Sequence, residues 1–276
     1  MPTLSGATIA LLESRMSEEL AALVRGLGGT PINAPAVREV PRPGDVGTFI
    51  DGLAARRFSV AIFLTGAGAT ALFQEAERRG QLAEAVAVLQ QMTIACRGPK
   101  PVAVMKRYGL PVHMATVKPH TTRELLDALA EVDLQGLGVL LVHYGEKNAA
   151  VADALRARGA HLEEVCPYEW ALPDDIAPLK AVVHDAIGRR LDAMLFTNQI
   201  QCRHLFQIAS SLGLADALAA CLNRDVVVGA IGPVCAEALR QLGVTPDVQP
   251  ASPNMASLIT AVADYFELTD KSDPEP

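Results

Sequence analysis

Residues 6–41 read GATIALLESRMSEELAALVRGLGGTPINAPAVREVP, and residues 138–173 read GVLLVHYGEKNAAVADALRARGAHLEEVCPYEWALP. Both run from an apolar strand through a polar turn, an amphipathic helix and a glycine region to an extended segment ending in proline. One constant offset carries Gly6 to Gly138, Leu23 to Leu155, Pro35 to Pro167 and Pro41 to Pro173. The same offset sets Ile62-Phe63-Leu64-Thr65 against Met194-Leu195-Phe196-Thr197, so Thr65 and Thr197 are expected at corresponding strand ends. A shift of two then matches Gly98-Pro99 with Gly232-Pro233, Gly109 with Gly243, and Pro119 with Pro253. A repeat of this length fixes the architecture before any motif is read. It predicts an α/β protein of two related units, hence two lobes and a cleft.

The hydrophobic periodicity predicts strands over 8–12, 30–34, 59–64, 93–96, 139–144, 161–165, 193–196 and 226–231, with helices between them over 17–26, 69–79, 149–158, 199–211 and 234–242. Strands separated by helices make βαβ units and parallel sheets. Thr121-Thr122-Arg123-Glu124 ahead of Leu125 is a capping box that starts a further helix, and its counterpart begins near Asn254. Segments 35–43 and 167–173 are proline-bounded and extended. If they pair antiparallel, each lobe mixes pieces of both copies. The charged, proline-bearing end, 267–276, is expected to fray.

A chain of 276 residues suits two compact domains, each able to bury its own core. Half the residues are hydrophobic and few are aromatic, which fits helices laid on buried parallel strands. The N-terminus shows no signal-peptide pattern, and the weakly polar stretch 59–73 is too short and glycine-broken to span a bilayer. A cytoplasmic protein with no membrane partner is expected. Cys96, Cys166, Cys202, Cys221 and Cys235 are odd in number and lie in apolar segments, the pattern of buried free thiols. The six histidines form no metal-ligand spacing, so no metal centre is expected. A net charge of −7 argues against nucleic acid as a partner.

The segments Phe196-Thr197-Asn198, Ala230-Ile231-Gly232-Pro233 with Ala236 and Gly243, Pro246-Asp247-Val248, and 139–144 leading through Gly159 to Pro167-Tyr168 resemble the uroporphyrinogen-III synthase family in order and spacing. The resemblance covers nearly the whole chain and implies two flavodoxin-like parallel-sheet lobes joined by a two-stranded linker ladder. Lobe 1 would be 1–36 plus 173–268, lobe 2 would be 44–166, the linkers 37–43 and 167–172, and the tail 269–276. The implied activity is that of a hydro-lyase without cofactor. It cyclises hydroxymethylbilane, a linear tetrapyrrole polycarboxylate, with inversion of ring D and loss of water through a spiro-pyrrolenine. The implied partners are that substrate and at most a transient contact with hydroxymethylbilane synthase; a monomer is expected.

Such a reaction needs orientation more than strong acid and base, because the substrate brings its own leaving group and closes head to tail when left alone. Its carboxylates need donors, which parallel α/β sheets offer at strand carboxyl ends, where helix N-termini present free N–H groups. The turns are 13–16, 65–70, 96–101, 144–148, 197–201 and 232–235. Within them the candidate substrate-binding residues are Arg15, Thr65, Gly66, Arg97, Lys100, Lys147, Thr197, Asn198, Gly232, Pro233, Val234 and Cys235. Arg15 and Lys147 lie one repeat apart; they either face substrate or are solvated residues at helix starts. Thr65 and Thr197 either bind a carboxylate or cap the next helix. Tyr168 matches the family's linker tyrosine, a candidate proton donor to the departing hydroxyl; the alternative is an aromatic packed beside Trp170. Pro101, Val234 and Cys235 stand where the family often has threonine, leaving main-chain N–H groups as the chief donors.

Two other readings stay open. Gly66-Ala67-Gly68 after a strand, with Arg97 nearby, is a weak dinucleotide fingerprint that would make an NADP-dependent oxidoreductase. A non-catalytic tetrapyrrole or small-anion sensor on the same fold is the other.

Overall fold

The computed structural model describes residues 3–143 and 145–270. The chain opens with β1 (Thr8–Leu11), α1 (Ser17–Gly26), β2 (Thr30–Asn33) and β3 (Arg38–Pro41). Then come α2 (Pro43–Ala54), β4 (Val60–Phe63), α3 (Gly66–Arg78), α4 (Leu82–Leu89), β5 (Thr93–Cys96), α5 (Pro99–Arg107), β6 (Met114–Ala115) and α6 (Thr122–Ala128). The second copy gives β7 (Gly138–Val142), α7 (Ala149–Ala157), β8 (His161–Val165), β9 (Tyr168–Ala171), α8 (Ala177–Ile187) and β10 (Ala193–Phe196). It ends with α9 (Gln199–Ser211), α10 (Ala215–Leu222), β11 (Val227–Ala230), α11 (Pro233–Gln241) and α12 (Met255–Asp270).

The chain divides into two compact units, one built from residues up to Arg38 and from Ala171 onward, the other from Glu39–Trp170. The first holds a parallel sheet of order β11-β10-β1-β2, the second a parallel sheet of order β6-β5-β4-β7-β8. Each sheet therefore takes strands from both sequence copies. β3 and β9 form a separate two-stranded antiparallel ladder, extended by Arg42 N–H donating to the Pro167 carbonyl at 2.8 Å.

The central strands read VAIF and AMLF and are buried at every position. Such runs carry no polar alternation because helices cover both faces of a parallel sheet. In β4, Ala61 and Phe63 point to the layer holding Phe49, Leu72 and Phe73, whereas Val60 and Ile62 point to the layer of Leu125, Leu129 and Leu155. The first unit packs Ile9 and Leu11 of β1 against Leu20, Val24, Leu258 and Val262 of α1 and α12.

The doubled architecture extends to small features. The pairing of Ala95 with Met114 in the second unit recurs as an isolated bridge of Gly229 with Val248 in the first. Two expectations need correction. Thr65 caps α3, but α9 is capped by Asn198, so the structural equivalent of Thr65 is Asn198 and Thr197 corresponds to Leu64. The shift of two thus arrives in two single steps, one before β10 and one between α10 and β11. The end of the chain does not fray at Glu267, because α12 runs to Asp270; residues 271–276 lie outside the described residues, as does Tyr144 of the strand expected over 139–144, whose described part is β7, Gly138–Val142. The capping box forms as read: Glu124 accepts from Thr121 N–H at 2.7 Å, and the Thr121 side chain accepts from Arg123 N–H.

Candidate functional site

In a doubly wound parallel sheet the loops at the carboxyl ends diverge where the strand order reverses. In the first unit the chain leaves β1 toward β2 and leaves β10 toward β11, so the reversal lies between β1 and β10. Three side chains meet at these two strand ends. Glu13, half-buried, accepts a short hydrogen bond from Thr197 Oγ1 and a second, of 3.2 Å, from Gln201 Nε2. Gln201 is only 1% exposed; its amide also donates to Thr197 Oγ1 at 2.8 Å, and its carbonyl oxygen accepts from Thr197 N–H at 2.7 Å. Asn198 Oδ1 accepts from Ile200 N–H and Gln201 N–H, each at 3.0 Å, and so starts α9. On the far side of Glu13, Ser14 Oγ donates to the Val37 carbonyl and His204 Nδ1 to the Ala36 carbonyl at 2.7 Å, fixing the chain just before β3.

In the second unit the reversal lies between β4 and β7. Here the turn after β7 is held by His143, which is fully buried. Its Nδ1 accepts from Asn148 N–H at 3.1 Å, so Nε2 carries the proton and donates to Glu164 at 2.8 Å, while Arg156 holds the other oxygen of Glu164. Burial pushes the imidazole below its ordinary pKa, with Glu164 opposing that shift. Burial alone would raise the Glu164 carboxyl, but the bonds from Arg156 and His143 hold it below its ordinary value. Both ring nitrogens are occupied, so His143 positions the turn and the N-cap of α7. Gly145 adopts φ +85°, and the Trp170 ring lies where its Cβ would be, 2.6 Å away. Tyr168 is 7% exposed, with its ring centroid 6.2 Å from that of Trp170, which places it beside this turn.

The remaining sequence-derived candidates sort by what they touch. Thr65 Oγ1 accepts from Gly68 N–H at 3.1 Å and is used as a cap. Gly66 and Gly68 are explained by close packing: a Cβ on Gly66 would stand 3.1 Å from the Lys100 carbonyl carbon, and one on Gly68 2.7 Å from the His143 oxygen. The glycines of the dinucleotide-like motif thus let α3 approach α5 and β7. Arg97 is half-buried and donates from Nε to the Leu64 carbonyl at 3.3 Å, while Lys100 stands exposed at the start of α5. Arg15 and Lys147 are exposed, each in its own unit. Gly232 is the N-cap of α11, and Pro233 and Val234 follow in its first turn, where Val234 is exposed. Cys235 turns inward: its thiol lies 3.6 Å from the Phe196 carbonyl and 3.7 Å from Cys202 Sγ. The Cys202 thiol is pushed up by its bond to Cys235 and by burial, and Cys96 is pushed up to about 12 by burial. Neither is poised as a nucleophile.

Main-chain donors are unevenly spread. At α3 the N–H groups of Gly66 and Ala67, and at α11 those of Val234 and Cys235, have no acceptor among the described residues. At α5, Pro99 and Pro101 remove two of the first-turn N–H groups, which leaves Lys100 and Val102 to supply them. His120, in the left-handed region at φ +62°, lays its ring against Gly98 and pairs Nδ1 with Thr116 Oγ1 at 2.9 Å.

Glu13, Gln201, His143 and His120 carry no motif that singles them out in the sequence. The position of Glu13 and Gln201 at two strand ends of the same unit was the usable signal. No group of three or more metal-holding side chains occurs among the described residues, and none of their helices is long and apolar enough to cross a membrane.

This arrangement has known relatives. The family model described as uroporphyrinogen-III synthase HemD matches residues 18–260. The uncharacterized protein YjjA of Bacillus subtilis (strain 168) is 30% identical over 269 residues, covering 96% of this chain and 97% of that protein. A crystal structure of a mutant uroporphyrinogen III synthase from the extremely thermophilic bacterium Thermus thermophilus is 25% identical with a TM-score of 0.77, over 97% of this chain and all of that one. The wild-type enzyme in a second crystal form is 26% identical with a TM-score of 0.61, over 96% of this chain and all of that one. On the extent of the family match and the shared two-unit parallel-sheet fold, the chain belongs to the uroporphyrinogen-III synthase family.

Proposed function

We propose that the protein is a uroporphyrinogen-III synthase, a hydro-lyase that closes hydroxymethylbilane with inversion of ring D. The observation that carries this reading is the family match across residues 18–260 on a fold whose strand carboxyl ends point helix N-termini outward in both units. Main-chain N–H groups at α3 and α11, with Arg97 and Lys100 beside α5, are suited to the carboxylates of a polyanionic bilane. Arg15 and Lys147 add charge at the turns after β1 and β7.

The substrate supplies the chemistry. Its hydroxymethyl group leaves as water and creates an azafulvene, and the protein's task is to present this electrophile to the substituted carbon of ring D before the unsubstituted one. A spiro-pyrrolenine forms, fragments and recloses with ring D turned over. Tyr168, beside the β7 turn, is the phenol assigned to assist departure of the hydroxyl. The unusual first turns, with Pro101 and Cys235 in place of hydroxyl side chains, leave binding to main-chain donors and cations.

The test is isomer analysis. Freshly generated hydroxymethylbilane is supplied to the protein, the products are oxidised, and the isomers are resolved. Type III product in excess of the enzyme concentration is expected; type I alone would overturn the assignment and leave a non-catalytic binder on this fold.

A further inference from the structure

Among the strand-end turns, the one after β1 sets a half-buried acid beside the exposed Arg15. The turn after β1 carries Glu13, and α1 begins with Glu18 and Glu19 and has no side-chain cap, so its N-terminal dipole is already met by acids. Glu13 takes its hydrogen bonds from neutral donors: the Thr197 hydroxyl, the Gln201 amide and, at 3.2 Å, the main-chain N–H of Arg15. Two of these donors are themselves fixed, because Gln201 is buried and bonded twice to Thr197. The result is a half-buried carboxylate held in place at the β1/β10 reversal. A carboxylate there repels the carboxylates of a polyanion. Its placement makes sense toward the parts of the same molecule that donate hydrogen bonds or become positive, and in a bilane those are the pyrrole N–H groups.

Resting on the synthase reading, we propose that Glu13 is the counter-charge for the cationic intermediate, with Thr197 and Gln201 as its positioning residues. When the C–O bond of the hydroxymethyl group breaks, the oxygen keeps the electron pair, takes a proton and departs as water. The pyrrole nitrogen lone pair forms the new C=N bond, so positive charge develops on an N–H that faces the carboxylate. Attack by the ring D carbon returns that electron pair to the first nitrogen and moves the charge to ring D. Loss of a proton from carbon at the final rearomatisation balances the proton taken by the leaving water. Glu13 accepts no proton in this scheme. It is stronger toward the cation than toward the neutral substrate, which is what accelerates a step.

This predicts a split that a packing role would not produce. In E13Q, which keeps the shape and one acceptor oxygen for Thr197 and Gln201 but gives up the bond from Arg15 N–H, kcat should fall about 100-fold, while the Ki of the product uroporphyrinogen III, used as a competitive ligand, should stay the same or drop because a repulsive charge is gone. T197V, which keeps the charge but frees its position, should lower kcat about tenfold with Ki unchanged. Melting temperatures of both variants are measured alongside. Wild-type kcat in E13Q, or loss of kcat and product binding together, would overturn the proposal while type III formation by the wild type leaves the synthase reading standing. If E13Q does not fold, wild-type kcat in T197V overturns it. Type I product alone from the wild type would sink both.

Discussion

At the scale of single residues, the side chains the sequence made prominent and those the fold places at the reversals only partly coincide. Thr65, Thr197 and Asn198 all lie at strand ends, and each spends its oxygen on a neighbour: Thr65 on Gly68 N–H, Asn198 on the start of α9, and Thr197 on Glu13 and Gln201. Tyr168 carries its role by resemblance, and its burial next to Trp170 suits either a donor or a packing aromatic. Y168F separates them. Because a phenol is a weak acid that contributes about one hydrogen bond, turnover should fall about tenfold with product binding intact; unchanged turnover would assign the ring to packing. Glu13 and His143 were illegible for a physical reason. An acid in an anion-binding turn looks like a solvated helix-start residue until its donors are seen, and a buried histidine at a strand end announces nothing until Glu164 and Asn148 close on its two nitrogens.

At the scale of elements, legibility followed contrast. α1, α7 and α9 show an apolar stripe on a polar helix, and their expected bounds agree with the structure to within a residue. α4 and α10, LAEAVAVL and ADALAACL, are apolar nearly all round and lack a side-chain cap, so nothing in them marks a face or a start. α5 hides behind two prolines that read as a loop but occupy first-turn positions, where a missing N–H costs nothing. α3 gives a measurable electrostatic prediction. Glu75, buried within the helix, accepts from Arg78 at 2.6 and 2.7 Å and from Arg79 at 2.9 Å, and chiefly the Arg78 bonds hold its carboxyl at about 2 instead of 4.5. The unfolded chain therefore binds this proton at higher pH than the folded one. The stabilisation is whole above pH 4.5 and is lost as pH falls toward 2. Urea midpoints of wild type and E75Q should differ most above pH 4.5 and converge below it; a constant gap would show that the ion cluster is not the source.

At the scale of the whole molecule, the repeat made the doubled α/β architecture readable from sequence, whereas the exchange of strands between copies was implied only by the pairing of the linkers and the family resemblance. The second unit is continuous in sequence, and its central pairing joins Val60 to Val139; the first unit closes only when Ile9 meets Ala193. Contacts that bridge longer stretches of chain form more slowly. On refolding from denaturant, pulsed hydrogen exchange should therefore show protection in β4, β5 and β7 before β1 and β10, and simultaneous protection would contradict this order. The two single-residue steps between the copies bear on anyone wishing to transplant a strand-end loop from one half into the other. A graft matched on the shared threonines, Thr65 onto Thr197, would enter its new helix one residue out of phase, a rotation of about 100°, and would swing the greasy side of α9 into water. Matched on the caps, Thr65 onto Asn198, the same cassette would keep its orientation, so the two halves are interchangeable parts only for a cutter who measures from the caps.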